Sequence, residues 1–424
     1  MAFSLGFHIL FAVAGMAMPM LMVGAEALWQ RTRDPVYLEL AKRWSRGVAI
    51  LVAVGAVSGT VLSFELGLLW PRFMAFAGPM VGMPFSLEGF AFFTEAIFLG
   101  VYLYGWDRVS ERAHLLSGLM VLLGGVVSGA FVVCANAWMN TPTGFDLNAA
   151  GEVIAVRPLE AMLNPAAFSQ VLHMTLAAFQ AVGIAVAAIH AWVLLRTPRS
   201  RFHQAAFALA LLVGGVASIL QPLSGDLAAK QVARNQPAKL AALEAHFETT
   251  EGAPLLIGGW PDEEAEETRF AIRIPGALSF LAHGDFGAEV TGLSDIPRDE
   301  WPPVAPVHLA FQIMVGCGTV LMGVAFLGAG LAWRRKRIPL DPRFLRLVVL
   351  SGPLGFIALE AGWTVTEVGR QPWVVRGFLR TADAVTPMPG LVVPLVTFSL
   401  LYLLLGVLVL AMLRRHVFAS PDAP

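Results

Sequence analysis

Few residues in this chain can do chemistry, and the richest group of them sits in one short stretch. Residues 359–373 read Leu-Glu-Ala-Gly-Trp-Thr-Val-Thr-Glu-Val-Gly-Arg-Gln-Pro-Trp. Two carboxylates (Glu360, Glu367), an arginine (Arg370) and two tryptophans (Trp363, Trp373) thus close an apolar run. Ionisable groups at membrane depth are costly and mark functional sites by default. The stretch can hold a buried cofactor or a proton site. The alternative is an interfacial helix end, stopped by Pro372, whose long side chains reach out to water. Glu367, three residues before Arg370, is also placed to be no more than its ion-pair partner. Other candidates lie far off in the chain: imidazoles His8 and His173, the thioether of Met314, and carboxylates Glu88 and Glu95. Glu88 and Glu95 are seven residues apart, which puts them on one face of a helix. A carboxylate such as Glu95 in mid-membrane can carry protons, and Ser128 and Asn136 can extend that path through water. A hydrogen-bonded helix contact is the plainer account of it.

The elements that must position these groups are membrane helices. Of 424 residues 57% are hydrophobic and 14% charged, and the mean hydropathy is +0.68. That composition excludes an ordinary soluble domain and points to a polytopic membrane protein. The net charge of −1 gives no reason to expect a nucleic-acid partner. Two cysteines, Cys134 and Cys317, both in apolar runs, cannot build a disulfide framework, a Cys-x-x-Cys zinc site or an iron–sulfur site. With about 20 apolar residues per crossing, nine spans are expected near 3–24, 47–69, 86–105, 114–136, 167–194, 204–222, 307–332, 347–366 and 391–413. The first run has no basic segment before it and reads as a retained span. Eighteen of the 29 Lys and Arg residues fall on one side of this arrangement. The positive-inside rule therefore places the N-terminus outside and the C-terminus in the cytoplasm. The chain divides into residues 1–222 (spans 1–6), a long outer loop at 223–306, and residues 307–424 (spans 7–9 with a short cytoplasmic tail). The loop begins with a helix-forming part, Asp226 to Glu251, and carries a solvated acidic run at 261–267. No internal repeat is visible, which weakens a secondary-transporter reading.

That topology sorts the candidates by depth. His8, Glu88, His173, Met314 and Glu367 all fall near the outer face, within roughly 10 Å of it at 1.5 Å per residue. Imidazole and thioether are axial ligands of haem iron. His173 and Met314, at one depth on different helices, suit a six-coordinate haem; a structural histidine and a packing methionine are the bland alternative. His8 and Glu367 can each hold a five-coordinate haem with an open side for oxygen. His114 and His203, at the basic inner ends of spans, read as solvated, and His190 and His308 are undecided. The copper-ligand cluster of a haem–copper oxidase is missing, as are the two matched histidine pairs of a bis-histidine quinol cytochrome. A quinol-linked haem b anchor that reduces no oxygen, and a haem-free ion transporter using Glu88 and Glu95, remain as alternatives.

Taken together, these residues resemble subunit I of the cytochrome bd quinol oxidases over nearly the whole chain. The most specific match is Glu360-Ala-Gly-Trp363 through Glu367-Val-Gly-Arg370-Gln-Pro-Trp373. Others are Gly6-Phe-His8, Leu87-Glu88-Gly, Tyr-Gly-Trp106-Asp-Arg108, Ala135-Asn136-Ala-Trp138-Met139, Lys239-Leu-Ala-Ala-Leu-Glu244 and Ile313-Met314-Val-Gly. The resemblance implies an all-α enzyme of the bacterial inner membrane with three haems: a low-spin haem b, a high-spin haem b and haem d. By position, His173 and Met314 match the low-spin ligands, and His8 and Glu367 the two high-spin ligands, in an order left open. Glu88, Glu95, Trp363 and Arg370 match residues around the high-spin pair. Lys239 and Glu244 match the quinol loop's functional pair, and Glu95, Ser128 and Asn136 the proton-entry region. Implied partners are subunit II in a heterodimer, a candidate small accessory transmembrane subunit, ubiquinol or menaquinol, dioxygen and the lipid bilayer. The implied reaction oxidises quinol near the outer face, reduces dioxygen to water and makes proton-motive force without a pump. Two departures stand out: Gln312 occupies a position where many members have arginine, and the loop is short, as in the branch that includes the so-called cyanide-insensitive oxidases.

Overall fold

The computed structural model describes residues 1–416; the end of the tail expected in the cytoplasm, 417–424, lies outside the described residues. Among the described residues, nine helices are long and apolar enough to cross a membrane. They are span 1 (Ala2–Thr32), span 2 (Pro35–Leu69), span 3 (Pro71–Tyr104), span 4 (Glu111–Asn140), span 5 (Ala167–Leu194), span 6 (Arg201–Asn235), span 7 (Val304–Arg335), span 8 (Pro342–Val368) and span 9 (Val392–Arg415). The expected number and order hold. In a membrane only helices satisfy every backbone group within one segment, so a chain of this composition has no other way across.

Helix starts are marked by the residues that satisfy their first amides. Asp34 accepts from Val36 N with Pro35 at the first helical position, and Ser110 accepts from Ala113 N. Asp341 accepts from Arg343 N ahead of span 8, again with a proline, Pro342, at the first helical position. Several spans are longer than the hydropathy pattern suggests, spans 2, 3 and 6 by more than ten residues each. Span 3 begins at Pro71 because Pro79 and Pro84 are absorbed inside the helix instead of ending it. Span 6 runs on to Asn235, so residues 223–235 extend that helix instead of opening the loop. Span 8 is broken between Ser351 and Leu354, where Gly352 and Pro353 interrupt its hydrogen bonding.

The main core joins spans 1, 2, 5 and 6 around Val13, Leu21, Met22, Leu40, Val48, Val182 and Phe207. A second core at the opposite end packs Phe73, Met80, Trp138 and Val375 beneath the hairpin of residues 145–147 and 153–156. Span 9 is peripheral: only 11% of its apolar window is buried in the chain. The long loop folds as the helix Pro237–Glu244, three short antiparallel strand pairs and the helix Ala277–His283. Its acidic run is the exposed turn of the 260–262/267–269 hairpin, as the charge pattern suggests.

His114 and His203 correct the expectation that they are solvated. Both are buried. His114 Nδ1 lies 2.9 Å from the buried Glu26 and its Nε2 2.9 Å from the Tyr102 carbonyl. His203 Nδ1 lies 2.9 Å from His190 Nδ1. Lys and Arg counts locate helix ends but do not show that neighbouring helices cover them.

Candidate functional site

Span 1 presents His8 to span 2. Its Nδ1 lies 2.9 Å from Ser58 Oγ. Span 5 presents His173 to span 6, with Nδ1 3.0 Å from Ser224 Oγ. Residues 170–177 around His173 are only half-buried, whereas 180–184 are fully buried, so packing loosens where the imidazole sits. Gln221 Nε2 lies 3.2 Å from the His173 carbonyl and nearly equidistant from both ring nitrogens. An in-plane atom so placed would collide with Cε1; the amide therefore rests over the ring face and leaves the in-plane Nε2 lone pair open. Met314 on span 7 points its sulfur at Gly362 of span 8, where a Cβ would meet it at 3.0 Å.

The stretch 359–373 is the hub. Glu367 Oε1 accepts from Asn136 Nδ2 at 2.5 Å, and Glu367 Oε2 pairs with Arg370 Nη2 at 2.6 Å. The ion-pair reading of Glu367 is thus observed, and its other carboxylate oxygen faces span 4. Asn140, one turn on from Asn136, donates to the Asn136 carbonyl at 3.0 Å and itself accepts a short hydrogen bond from Lys239 Nζ. Lys239 also donates to the Thr366 carbonyl at 3.3 Å. A continuous hydrogen-bonded line therefore runs Lys239–Asn140–Asn136–Glu367–Arg370, from the loop into the bundle. Sequence reasoning missed Asn140, and its only signal was an asparagine one turn beyond another on the same apolar span. Asn136 is joined directly to Glu367, whereas the sequence expects it to extend a water path from Glu95.

Glu88 accepts from Ser128 Oγ at 3.2 Å. Glu95, further along the same face, is buried, and its Oε1 has no protein partner among the described residues. It sits against glycines: a Cβ at Gly124 would lie 2.9 Å from the Glu95 Cβ, and one at Gly125 3.4 Å from its Oε1. Only glycine leaves room for a carboxylate between spans 3 and 4 there. Glu360, whose Oε1 also lacks a partner among the described residues, reaches Gly6 on span 1. Trp363 is half-buried and packs on the edge of the main core.

Lys239 and Glu244 share the Pro237–Glu244 helix but lie about 140° apart around it. Lys239 turns toward spans 4 and 8, while Glu244 is buried with Oε2 unpartnered among the described residues. Burial pushes the Glu244 carboxyl up to about 8. Burial pulls the Lys239 ammonium well below its usual range, helped by the nearby Arg370 guanidinium and opposed by Glu367. Gln312 has become a structural tie, since its amide donates to the Leu256 carbonyl at 3.0 Å and its Oε1 accepts from Gly258 N at 3.0 Å. His308, fully buried, reaches the Leu243 and Gly258 carbonyls at 2.7 and 3.1 Å. Both side chains fasten the loop to span 7 within two turns of Met314.

The donor set fits haem. Imidazole and thioether, the side chains of His8, His173 and Met314, are ligand types that haem iron takes from protein. Arg370 is 5% exposed, yet its Nε and Nη1 have no acceptor among the described residues. Orphaned guanidinium donors at such burial call for an acceptor, and a carboxylate of a bound anionic group is the natural one.

Nine apolar helices among the described residues, with these donors beneath the folded long loop, define a polytopic membrane protein whose side chains suit redox groups. The chain belongs to the cytochrome bd terminal oxidase subunit I family, whose model matches residues 1–421. It is 38% identical to a Bacillus subtilis chain provisionally named cytochrome bd menaquinol oxidase subunit I, over 97% of this chain and 95% of that one. It is 32% identical to the Bacillus subtilis cytochrome bd ubiquinol oxidase subunit 1, over 97% and 90%. Its fold matches the solved bd oxidase from Geobacillus thermodenitrificans with a TM-score of 0.90, 42% identity and coverage of 98% and 96%. It is thus a multi-pass protein of the bacterial inner membrane and a subunit of a quinol:oxygen oxidoreductase. Membership implies haem cofactors, a quinol substrate and a second subunit.

Proposed function

We propose that this chain oxidises quinol under its long loop at the outer face and reduces dioxygen to water. Two quinols and one dioxygen give two quinones and two waters, so the electrons and protons balance. The observation that carries the reading is the line Lys239–Asn140–Asn136–Glu367–Arg370, which joins the loop to a carboxylate of the haem-ligand type. His173 and Met314 hold a low-spin haem b; His8 and Glu367 hold a high-spin haem b and haem d. When bound, the haems supply one-electron transfer and oxygen chemistry. Arg370 offers its two free donors to a propionate, and Trp363 serves as a haem neighbour. Glu88, held by Ser128, and Glu95 carry protons from inside; quinol protons leave outside, which separates charge without a pump. The relatives' names include both menaquinol and ubiquinol oxidases, so the substrate class is quinol. Subunit II, and a small accessory transmembrane subunit, complete the assembly, whose N-terminus lies outside and C-terminus in the cytoplasm.

The test is a reduced-minus-oxidised spectrum of membranes carrying the assembled complex, with oxygen uptake on a reduced quinol. A haem d band in the red and quinol-driven uptake are the expected results. Only b-type bands without uptake would leave an electron-transfer anchor, and no haem at all a transporter.

The loop gives a pH dependence. With its carboxyl at about 8, Glu244 is protonated at neutral pH and cannot accept a quinol proton. As pH rises through 8 it ionises and can act as base, so quinol oxidation accelerates over that interval. Glu244→Gln abolishes the acceleration and slows oxidation by about 100-fold, a typical share for a positioned base, with haem content unchanged. A variant that keeps the alkaline acceleration removes Glu244 from the reaction.

A further inference from the structure

The two histidines assigned as ligands are held in the same way by unrelated helices. His8 Nδ1 meets Ser58 Oγ at 2.9 Å, and His173 Nδ1 meets Ser224 Oγ at 3.0 Å. Each serine already gives its one hydroxyl proton to its own helix. Ser58 donates to the Val54 carbonyl at 2.9 Å, and Ser224 to the Gln221 carbonyl at 2.8 Å. Both serines are sealed from water, at 0% and 1% exposure, so no other donor reaches them. While the serine gives its proton to the carbonyl, the hydroxyl accepts and the imidazole donates Nδ1–H. That fixes the neutral tautomer with its lone pair on Nε2, the nitrogen facing away from the serine.

The residue after each serine completes the device. Gly59 and Gly225 follow Ser58 and Ser224. A Cβ on Gly59 would lie 3.1 Å from His8 Cε1, and one on Gly225 3.5 Å from His173 Cε1. The glycine lets the ring lie flat against the helix while the serine takes its proton. A Ser-Gly pair is thus used twice, on spans 2 and 6, for two histidines on spans 1 and 5.

We infer that Ser58 and Ser224 are positioning residues that set the tautomer, the ring orientation and the electron-donating strength of His8 and His173 toward haem iron. The inference rests on the ligand assignment of the proposed function. An imidazole whose Nδ1–H is bonded is a more basic ligand. It favours the ferric over the ferrous iron, so losing the bond raises the midpoint potential.

The experiment uses the assembled complex and spectroelectrochemical titration, with haem content measured in parallel. Ser224→Ala shifts the low-spin haem's midpoint potential upward and weakens haem retention by about 10-fold, the lower end for outer-shell changes. Ser58→Ala does the same to one high-spin haem and leaves the low-spin potential alone. Ser224→Thr, which keeps a hydroxyl, returns the potential toward wild type. If Ser224→Ala does not assemble, Ser224→Cys, a weak acceptor of similar size, gives the same upward shift. Retained haem with an unmoved potential in the Ala or Cys variant overturns the inference, as does failure of Thr to restore it. His173→Ala separates the two levels: a surviving low-spin band would overturn the ligand assignment itself, and with it this inference.

Discussion

His173→Ala removes the low-spin haem band from the reduced-minus-oxidised spectrum while high-spin haem remains. The expectation comes from separation. His173 is held by span 6 through Ser224 and Gln221, whereas His8 is held by span 2 through Ser58 and Glu367 by span 4 through Asn136. No hydrogen bond links His173 to either of the others among the described residues. Losing an axial ligand exceeds the roughly 10–100-fold loss typical of altering its supports. Quinol-driven oxygen uptake should therefore fall by more than about 100-fold. The spectrum and the uptake rate check the prediction together. Intact low-spin absorbance would show that the imidazole is structural and that the match in depth with Met314 is coincidence.

Glu367→Ala has the second large effect, and it acts on stability as well as on haem. Among the described residues, the Glu367 carboxylate is the only anion paired with Arg370, although the arginine is almost wholly buried. Removing it leaves a buried guanidinium with no protein anion and takes away the acceptor for Asn136. Breaking one side of a buried pair costs about 3–5 kcal/mol. Glu367 is itself partly exposed, which sets the expectation at the lower end. That is a large fraction of ordinary stability. The complex should lose one high-spin haem and unfold at a distinctly lower temperature, with the low-spin band retained. Arg370→Ala in the same background should recover part of the thermal loss, because the stranded charge goes with it. If the single and double variants melt together at the wild-type temperature, the pair does not carry the load assigned to it.

The sequence was legible where chemistry and hydropathy act on the same scale. All nine spans follow from apolar run length, and the fold places Glu367 and Arg370 together as their spacing of three suggests. Depth counting also expects His8, His173, Met314, Glu88 and Glu367 near one face, but span 3 begins at Pro71, which puts Glu88 well inside that helix and not at its mouth. What stayed hidden depends on which helix faces which. Ser58 and Ser224 look like ordinary helix serines until a histidine from another span arrives beside each. His114 and His203 sit among basic residues and so read as wet, but neighbouring helices cover them. The apolar pattern starts span 3 near 86, yet its helix begins at Pro71 because a membrane helix accommodates Pro79 and Pro84. The sequence reads Asn136 as extending a water path from Glu95; that its direct partner is Glu367 depends on the rotation of span 4, which periodicity leaves undetermined in an evenly apolar helix.

Gln312 and His308 divide the long loop into two materials. Its inner edge, around Leu243, Leu256 and Gly258, is bonded at four points to span 7. That edge can open only if a membrane helix moves with it. The acidic hairpin turn at 262–267 is bonded to its own backbone, to the exposed Arg298 and, through Glu263 Oε1, to Val304 N at the very start of span 7. Its exposed tip, 264–266, lies beyond that tie and can breathe at little free-energy cost. Fast motion is thereby confined to the water-facing rim, and the floor of the loop keeps the slow clock of the bundle beneath it.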